Sequence, residues 1–183
     1  MIHMNNQFNL IEGYFTWPHL YNDVVVKYPS GSVFVEIGVF KGRSLYFLLE
    51  NIKRRNKKIT VFGVDNFALL PDYNEKDIHT TLKKFTGCYT FIKDSSENAS
   101  KRFKNRSVDF VFIDAGHDYE DVKLDIESWL PKIKKGGIMA GHDYNPYSLE
   151  GGYPGVWKAV NETFEGKVLS DYFDEDCWFV KIN

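Results

Sequence analysis

The chain has 183 residues, 43% of them hydrophobic and 16% aromatic, with a formal charge of −2. That length suits one compact α/β domain, taken as residues 1–183 with 1–30 as an N-terminal arm or cap. The near-neutral balance gives no reason to expect nucleic acid or a membrane surface as partner, and two cysteines, Cys88 and Cys177, suit a reducing cytoplasmic setting better than a disulfide framework.

In chain order, the aromatic arm containing Tyr14, Phe15, Trp17 and His19 reads as a cover over one end of the fold or a contact in a homo-oligomer. Apolar runs predict strands at Val33–Gly38, Ile59–Asp65, Tyr89–Ile92, Val108–Asp114 and Gly137–Gly141. Helical segments are expected between them, near Ser44–Ile52, Glu75–Phe85, Glu97–Phe103 and Glu120–Leu130. This alternation predicts a doubly wound, mostly parallel sheet with helices on both faces. A further helix, Val156–Phe164, precedes two more strands, Lys167–Tyr172 and Cys177–Ile182, joined by a turn too short for a crossover. The expected total is seven strands, the last antiparallel. The basic run Lys53–Lys58 falls where a helix ends, so its cations complement the helix dipole.

The segment Val33–Ser44, V-F-V-E-I-G-V-F-K-G-R-S, reads as a buried strand entering a glycine turn that opens a helix. Gly38 and Gly42 let the backbone approach a ligand closely, and helix N-termini favour anionic groups, although the same glycines also suit a bare tight turn. The other predicted strands end at Asp65, Asp94-Ser95, Asp114 and His142-Asp143. In an open α/β sheet those carboxyl ends form the rim where ligands bind. Asp65 suits a ribose diol, or a cap. Asp114, His142 and Asp143 bring two carboxylates and an imidazole to neighbouring strand ends, a donor set for Mg²⁺ or Mn²⁺. Asp143 read as a turn residue and Asp114 as a buried cap are the plainer alternatives. The spacing from Gly38 to Gly42 is not the G-x-G-x-x-G of a dinucleotide enzyme.

With V-E-I-G-V-F-K-G-R-S from Val35, V-F-G-V-D from Val61, D-S-S-E-N-A from Asp94, V-D-F-V-F-I-D-A-G-H-D-Y from Val108 and G-G-I-M-A-G-H-D-Y from Gly136, the chain resembles the class I S-adenosylmethionine-dependent methyltransferases. More narrowly it is similar to the small metal-dependent O-methyltransferases of the macrocin and macrolide-sugar type. The resemblance implies a Rossmann-like fold, S-adenosyl-L-methionine as cofactor, a divalent metal, and a sugar or natural-product hydroxyl as acceptor. It implies cofactor contacts from Glu36 to the methionine ammonium and from Asp94-Ser95 to the adenine, with Gly38, Lys41, Gly42, Ser44, Asp65, Asn66 and Asp114 alongside. Ser95 would cap a helix in any fold. His117 lies where catechol-type relatives carry a basic lysine, and is expected to act as general base with Asp114, to ligate the metal, or simply to pack. The glycine- and proline-rich stretch Asn145–Gly155 reads as a substrate-gating loop. Alternatives are a metal-independent methyltransferase with His117 or His142 as base, and a cofactor-binding module without turnover.

Overall fold

The computed structural model describes residues 6–68, 70, 72–146, 153–165, 167–168 and 176–183. Its six strands are β1 (Val33–Ile37), β2 (Thr60–Asp65), β3 (Tyr89–Lys93), β4 (Val108–Ile113), β5 (Ile133–Gly141) and β6 (Trp178–Lys181). They lie in the order β3-β2-β1-β4-β5-β6, parallel throughout except for β6, which runs antiparallel to β5. The order reverses beside β1, which pairs with both β2 and β4. That reversal opens a crevice at the carboxyl rim. The helices are α1 (Pro18–Lys27), α2 (Arg43–Arg54), α3 (Glu75–Thr81), α4 (Ser96–Ser100), α5 (Tyr119–Trp129) and α6 (Pro154–Phe164).

The described sheet therefore has six strands and not the expected seven. The expected strand Lys167–Tyr172 lies mostly outside the described residues, and Lys167 and Val168 belong to no strand. Two other expectations shift. The fifth strand begins at Ile133, four residues early, because the K-K-G-G stretch is absorbed by an irregularity in register between Val108 and Phe110. Gly137 is needed there, since a Cβ would lie 2.9 Å from the Asp109 carbonyl. The N-terminal arm contains a full helix, α1, which opens with Pro18 in its first turn and buries Leu20, Tyr21, Val24 and Val25. Lys57 of the basic run donates to the Val25, Val26 and Tyr28 carbonyls at the end of that helix, at 2.5, 2.8 and 2.7 Å. That use of the run follows from the four orphan carbonyls of any helix end.

The period of two along each strand sorts the core into two layers. Phe34, Phe110 and Phe112 face the cluster that includes α1 and α2. Val35, Ile37, Val111 and Ile113 face the cluster formed with α5 and α6. Glu36 alternates with Val35 and Ile37, so it points to the same side as Phe34, under α1 and α2. Among the described residues, no helix is long and apolar enough to cross a membrane.

Candidate active site

Gly38 begins the turn after β1 with φ +83°, and a Cβ there would stand 1.8 Å from the Asp114 carbonyl oxygen. The absent side chain therefore lets the exits of β1 and β4 touch, rather than leaving room for a ligand. Gly42 caps α2 with φ +88° and would place its Cβ at an ordinary 3.6 Å from Thr81. Both glycines are demanded by backbone conformation, and only Gly38 by close approach as well.

Glu36 is buried to 1% exposure, and both oxygens are engaged: Tyr21 Oη donates to Oε2 and Ser44 Oγ to Oε1, each at 2.7 Å. It thus lies beneath the turn as a tie between β1, α1 and α2. Burial pushes its carboxyl up to about 8, against the pull of the two donors. A raised folded-state value means the folded chain keeps a proton that the unfolded chain releases near 4.5. Stability from this group is therefore complete below about 4.5 and is lost as pH rises toward 8. The melting temperature of the cation-free protein should fall across that window, and Glu36→Gln should flatten the fall. Identical slopes for the two proteins would rule out this origin.

Asp65 ends β2 and holds the glycine turn: Oδ2 accepts from the Val39 and Phe40 amides at 2.9 and 2.8 Å, and Oδ1 from the Phe67 amide at 2.7 Å. A carboxylate has about four lone-pair sites, so capacity for a hydroxyl remains. Other expected cofactor residues turn to local partners. Asn66 accepts from the Ala68 amide, Lys41 pairs with Glu12 at 2.6 Å, and Asp94 pairs with Arg102 at 2.8 Å, which lowers its pKa. Ser95 caps α4 by accepting from the Asn98 amide at 3.3 Å.

Asp114, His117 and Asp143 converge beside Gly38, each offering one ligand atom within 4.8 Å of the others. His117 Nε2 is 2.8 Å from Asp143 Oδ2 and 3.8 Å from Asp114 Oδ1, yet it is a buried atom aligned for a hydrogen bond with neither. Burial raises the Asp114 carboxyl. Facing Asp114 and Asp143, the His117 imidazole is pushed up to about 9. Asp143 is held well below the usual carboxylate range, because the facing imidazoles of His117 and His142 outweigh its burial. Asp143 also sits at φ +59°, a left-handed backbone that aspartate tolerates better than most residues. The two carboxylates suit a divalent cation, and the unaligned imidazole nitrogen between them can serve as a third ligand or, with the cation on the carboxylates, as a base.

His142 stands beside the three: its Nδ1 faces Asp143 Oδ1 at 3.1 Å and its Nε2 faces Thr16 Oγ1 at 2.8 Å. Of the expected metal set, Asp114 and Asp143 converge with His117 as the third group, and His142 adjoins them through Asp143. Asp118 occupies the N-cap position of α5, without a side-chain cap bond.

Tyr21, Thr16 and Tyr153 carry roles that sequence reasoning did not assign. The Tyr153 ring lies 4.3 Å from that of His117, tilted by 34°. Gly155 holds it there, because a Cβ at that glycine would be 2.6 Å from the His117 carbonyl oxygen. The stretch 147–152 of the expected gating loop lies outside the described residues.

A parallel sheet that reverses beside β1, with a glycine turn and acids at its carboxyl rim, is the architecture of the class I methyltransferases. The chain belongs to a methyltransferase-domain family, whose match covers residues 35–144. An uncharacterized protein of Acanthamoeba polyphaga mimivirus is 28% identical over 141 residues, 70% of this chain and 58% of that protein. The chain thus spans little over half the length of that relative. Two solved structures share the fold. CalS11, a TDP-rhamnose 3'-O-methyltransferase of calicheamicin biosynthesis, has TM-score 0.66 at 16% identity, over 90% of this chain and 76% of that one. MycE, a methyltransferase of the mycinamycin pathway in complex with Mg and SAH, has TM-score 0.61 at 16% identity, over 93% of this chain and 50% of that one.

Proposed function

We propose that the chain is one methyltransferase domain that moves a methyl group from S-adenosylmethionine to a hydroxyl oxygen of a small-molecule acceptor, assisted by a divalent cation. The observation that carries this reading is the cluster of Asp114, His117 and Asp143 packed against the glycine turn at the switch point. A saccharide or natural-product acceptor is supported by the sugar chemistry of CalS11 on the same fold. A cytoplasmic setting is supported by a chain whose two cysteines, Cys88 and Cys177, form no disulfide with each other.

S-adenosylmethionine, when bound, supplies an electrophilic methyl on a cationic sulfur, which suits a rim lined by carboxylates. Asp65 would accept from the ribose hydroxyls while it holds the turn. Asp114 and Asp143 would hold Mg²⁺ or Mn²⁺, which supplies Lewis acidity to the acceptor hydroxyl. His117 Nε2 would take the hydroxyl proton, with the acceptor oxygen held in line with the methyl–sulfur bond so that the thioether departs opposite it. Alone with two carboxylates, the ring keeps its own proton up to about 9. Engaging those carboxylates elsewhere frees it to act near neutrality. Tyr153 covers the outer face of the ring.

Calorimetry with S-adenosylhomocysteine and with Mn²⁺ tests both parts. Asp143→Asn should weaken Mn²⁺ about 10–100-fold, by analogy with the loss of a tuning group in a metal site, and leave S-adenosylhomocysteine nearly unaffected. Absence of Mn²⁺ binding by the wild type, with full activity in chelator, would favour the metal-independent reading in which His117 works between the carboxylates alone.

A further inference from the structure

Three residues spaced one turn apart on α6 run along the exits of β4 and β5. Tyr153, at the start of the helix, has its ring 4.3 Å from that of His117. Asn161 Oδ1 accepts from the Tyr144 hydroxyl at 3.0 Å, and Tyr144 follows Asp143 in the chain. Trp157 stands between them, and its amide donates to the Tyr153 carbonyl at 3.3 Å. Residues four apart share a helix face, so this stripe is tied at one end to the proposed base and at the other to the neighbour of a proposed ligand. The adjoining positions face elsewhere: Val156 and Val160 are buried in the core, and Lys158 lies 4.5 Å over the Tyr119 ring of α5. Trp157 is 40% exposed, whereas Trp17, Trp129 and Trp178 are at 1% or less. Tyr153, at 39%, continues the open aromatic surface toward the cluster.

We infer that Trp157 is the platform on which the acceptor's sugar ring stacks, with Tyr153 lining the path from it to the cluster. The inference rests on the reading of a saccharide acceptor. Small-molecule sites are lined mainly by apolar and aromatic side chains, with polar groups fixing orientation. Large rings left open to water beside a reaction centre meet that description. The face of an indole is the negative side of its quadrupole. A pyranose presents C–H groups on its face, made slightly positive by the oxygens they adjoin, and carries hydroxyls around its edge. Stacking therefore covers the face and leaves the edge free. One edge hydroxyl can then point along the stripe, about one helical pitch or roughly 5 Å, toward Tyr153 and the cluster. The platform thereby selects which hydroxyl is presented, while the acids and His117 act on whichever arrives.

The test uses the full chain labelled with fluorotryptophan, with S-adenosylhomocysteine and Mg²⁺ present throughout. The four tryptophans give four ¹⁹F resonances, and Trp157→Phe identifies one of them by its loss. The probes are methyl β-D-glucopyranoside, methyl α-L-rhamnopyranoside and, as a flat aromatic diol, catechol. A glycoside should shift the Trp157 resonance, and saturation transfer should mark the C–H protons of one sugar face. Trp157→Ala should weaken glycoside binding about 2–10-fold, and Trp157→Phe should keep most of it. Lys158→Ala, on the adjoining face, should change nothing, and S-adenosylhomocysteine affinity should be alike in all four proteins. Glycoside binding with the Trp157 resonance unmoved, or equal affinity in Trp157→Ala, overturns the inference alone. Binding of neither glycoside overturns the saccharide reading and the inference with it, and a shift by catechol would then mark an aromatic acceptor instead.

Discussion

Replacing His117 with alanine is expected to lower turnover about 10²–10⁴-fold, the usual contribution of a positioned general base. The measurement is transfer of labelled methyl from S-adenosylmethionine to a hydroxyl acceptor that the wild type methylates, with calorimetry showing cofactor affinity little changed. The pH dependence makes the test sharper. With both carboxylates drawn to its ring, His117 in the cation-free protein stays protonated up to about 9. A base must first lose its proton, so residual activity in chelator should rise only toward that pH. With Mn²⁺ present the limb should move down toward neutrality, and it should be absent from His117→Ala at either condition. A variant that keeps its rate but loses Mn²⁺ would make His117 a ligand. His142 would be a poor substitute base, since both of its nitrogens already have partners.

The second large effect is on stability. Gly38→Ala combines a left-handed φ of +83° with a Cβ 1.8 Å from a backbone carbonyl, which cannot rotate away. Left-handed strain of about 1–2 kcal/mol and overpacking of about 1–3 kcal/mol point to a loss of roughly 2–5 kcal/mol. For a chain of this size each kcal/mol moves the unfolding midpoint by about 2–4 °C. Gly42→Ala meets no such obstruction and should lose only the conformational part, about 1–2 kcal/mol. Equal destabilisation by the two substitutions would refute the packing role. Because the atom displaced by the Gly38 methyl belongs to Asp114, that variant should also lose Mn²⁺ affinity, and Gly42→Ala should not.

Much of this arrangement is legible in the sequence where chemistry and periodicity coincide. The strands ending at Asp65 and Asp114 carry apolar runs that stop at an acid, and both acids stand at the rim. Legibility fails where one residue serves two elements. The Val24–Val26 run hid α1, because β-branched residues disfavour helix, although Pro18 at the helix start was a usable signal. Glu36 is expected at the methionine end of the cofactor; the period of two turns it toward α1 and α2, and only tertiary packing supplies Tyr21 and Ser44 as its partners. His142 has the composition of a metal ligand. Its ring adjoins the cluster through Asp143 and also meets Thr16, 126 positions away, a pairing no local pattern encodes. Among the described residues the sheet has six strands, and the segment expected to supply a seventh, Lys167–Tyr172, falls mostly outside them.

The seating of Gly155 against the His117 backbone has a further consequence. Just before the connection between β5 and α6, Tyr144 takes the Asp176 carbonyl through its amide and Asn161 through its hydroxyl. At the far end, Gly155 fixes α6 to the loop that carries the proposed base. A side chain added at Gly155 would therefore displace the backbone of the loop that carries His117, so a change in α6 reaches the proposed base without touching its ring.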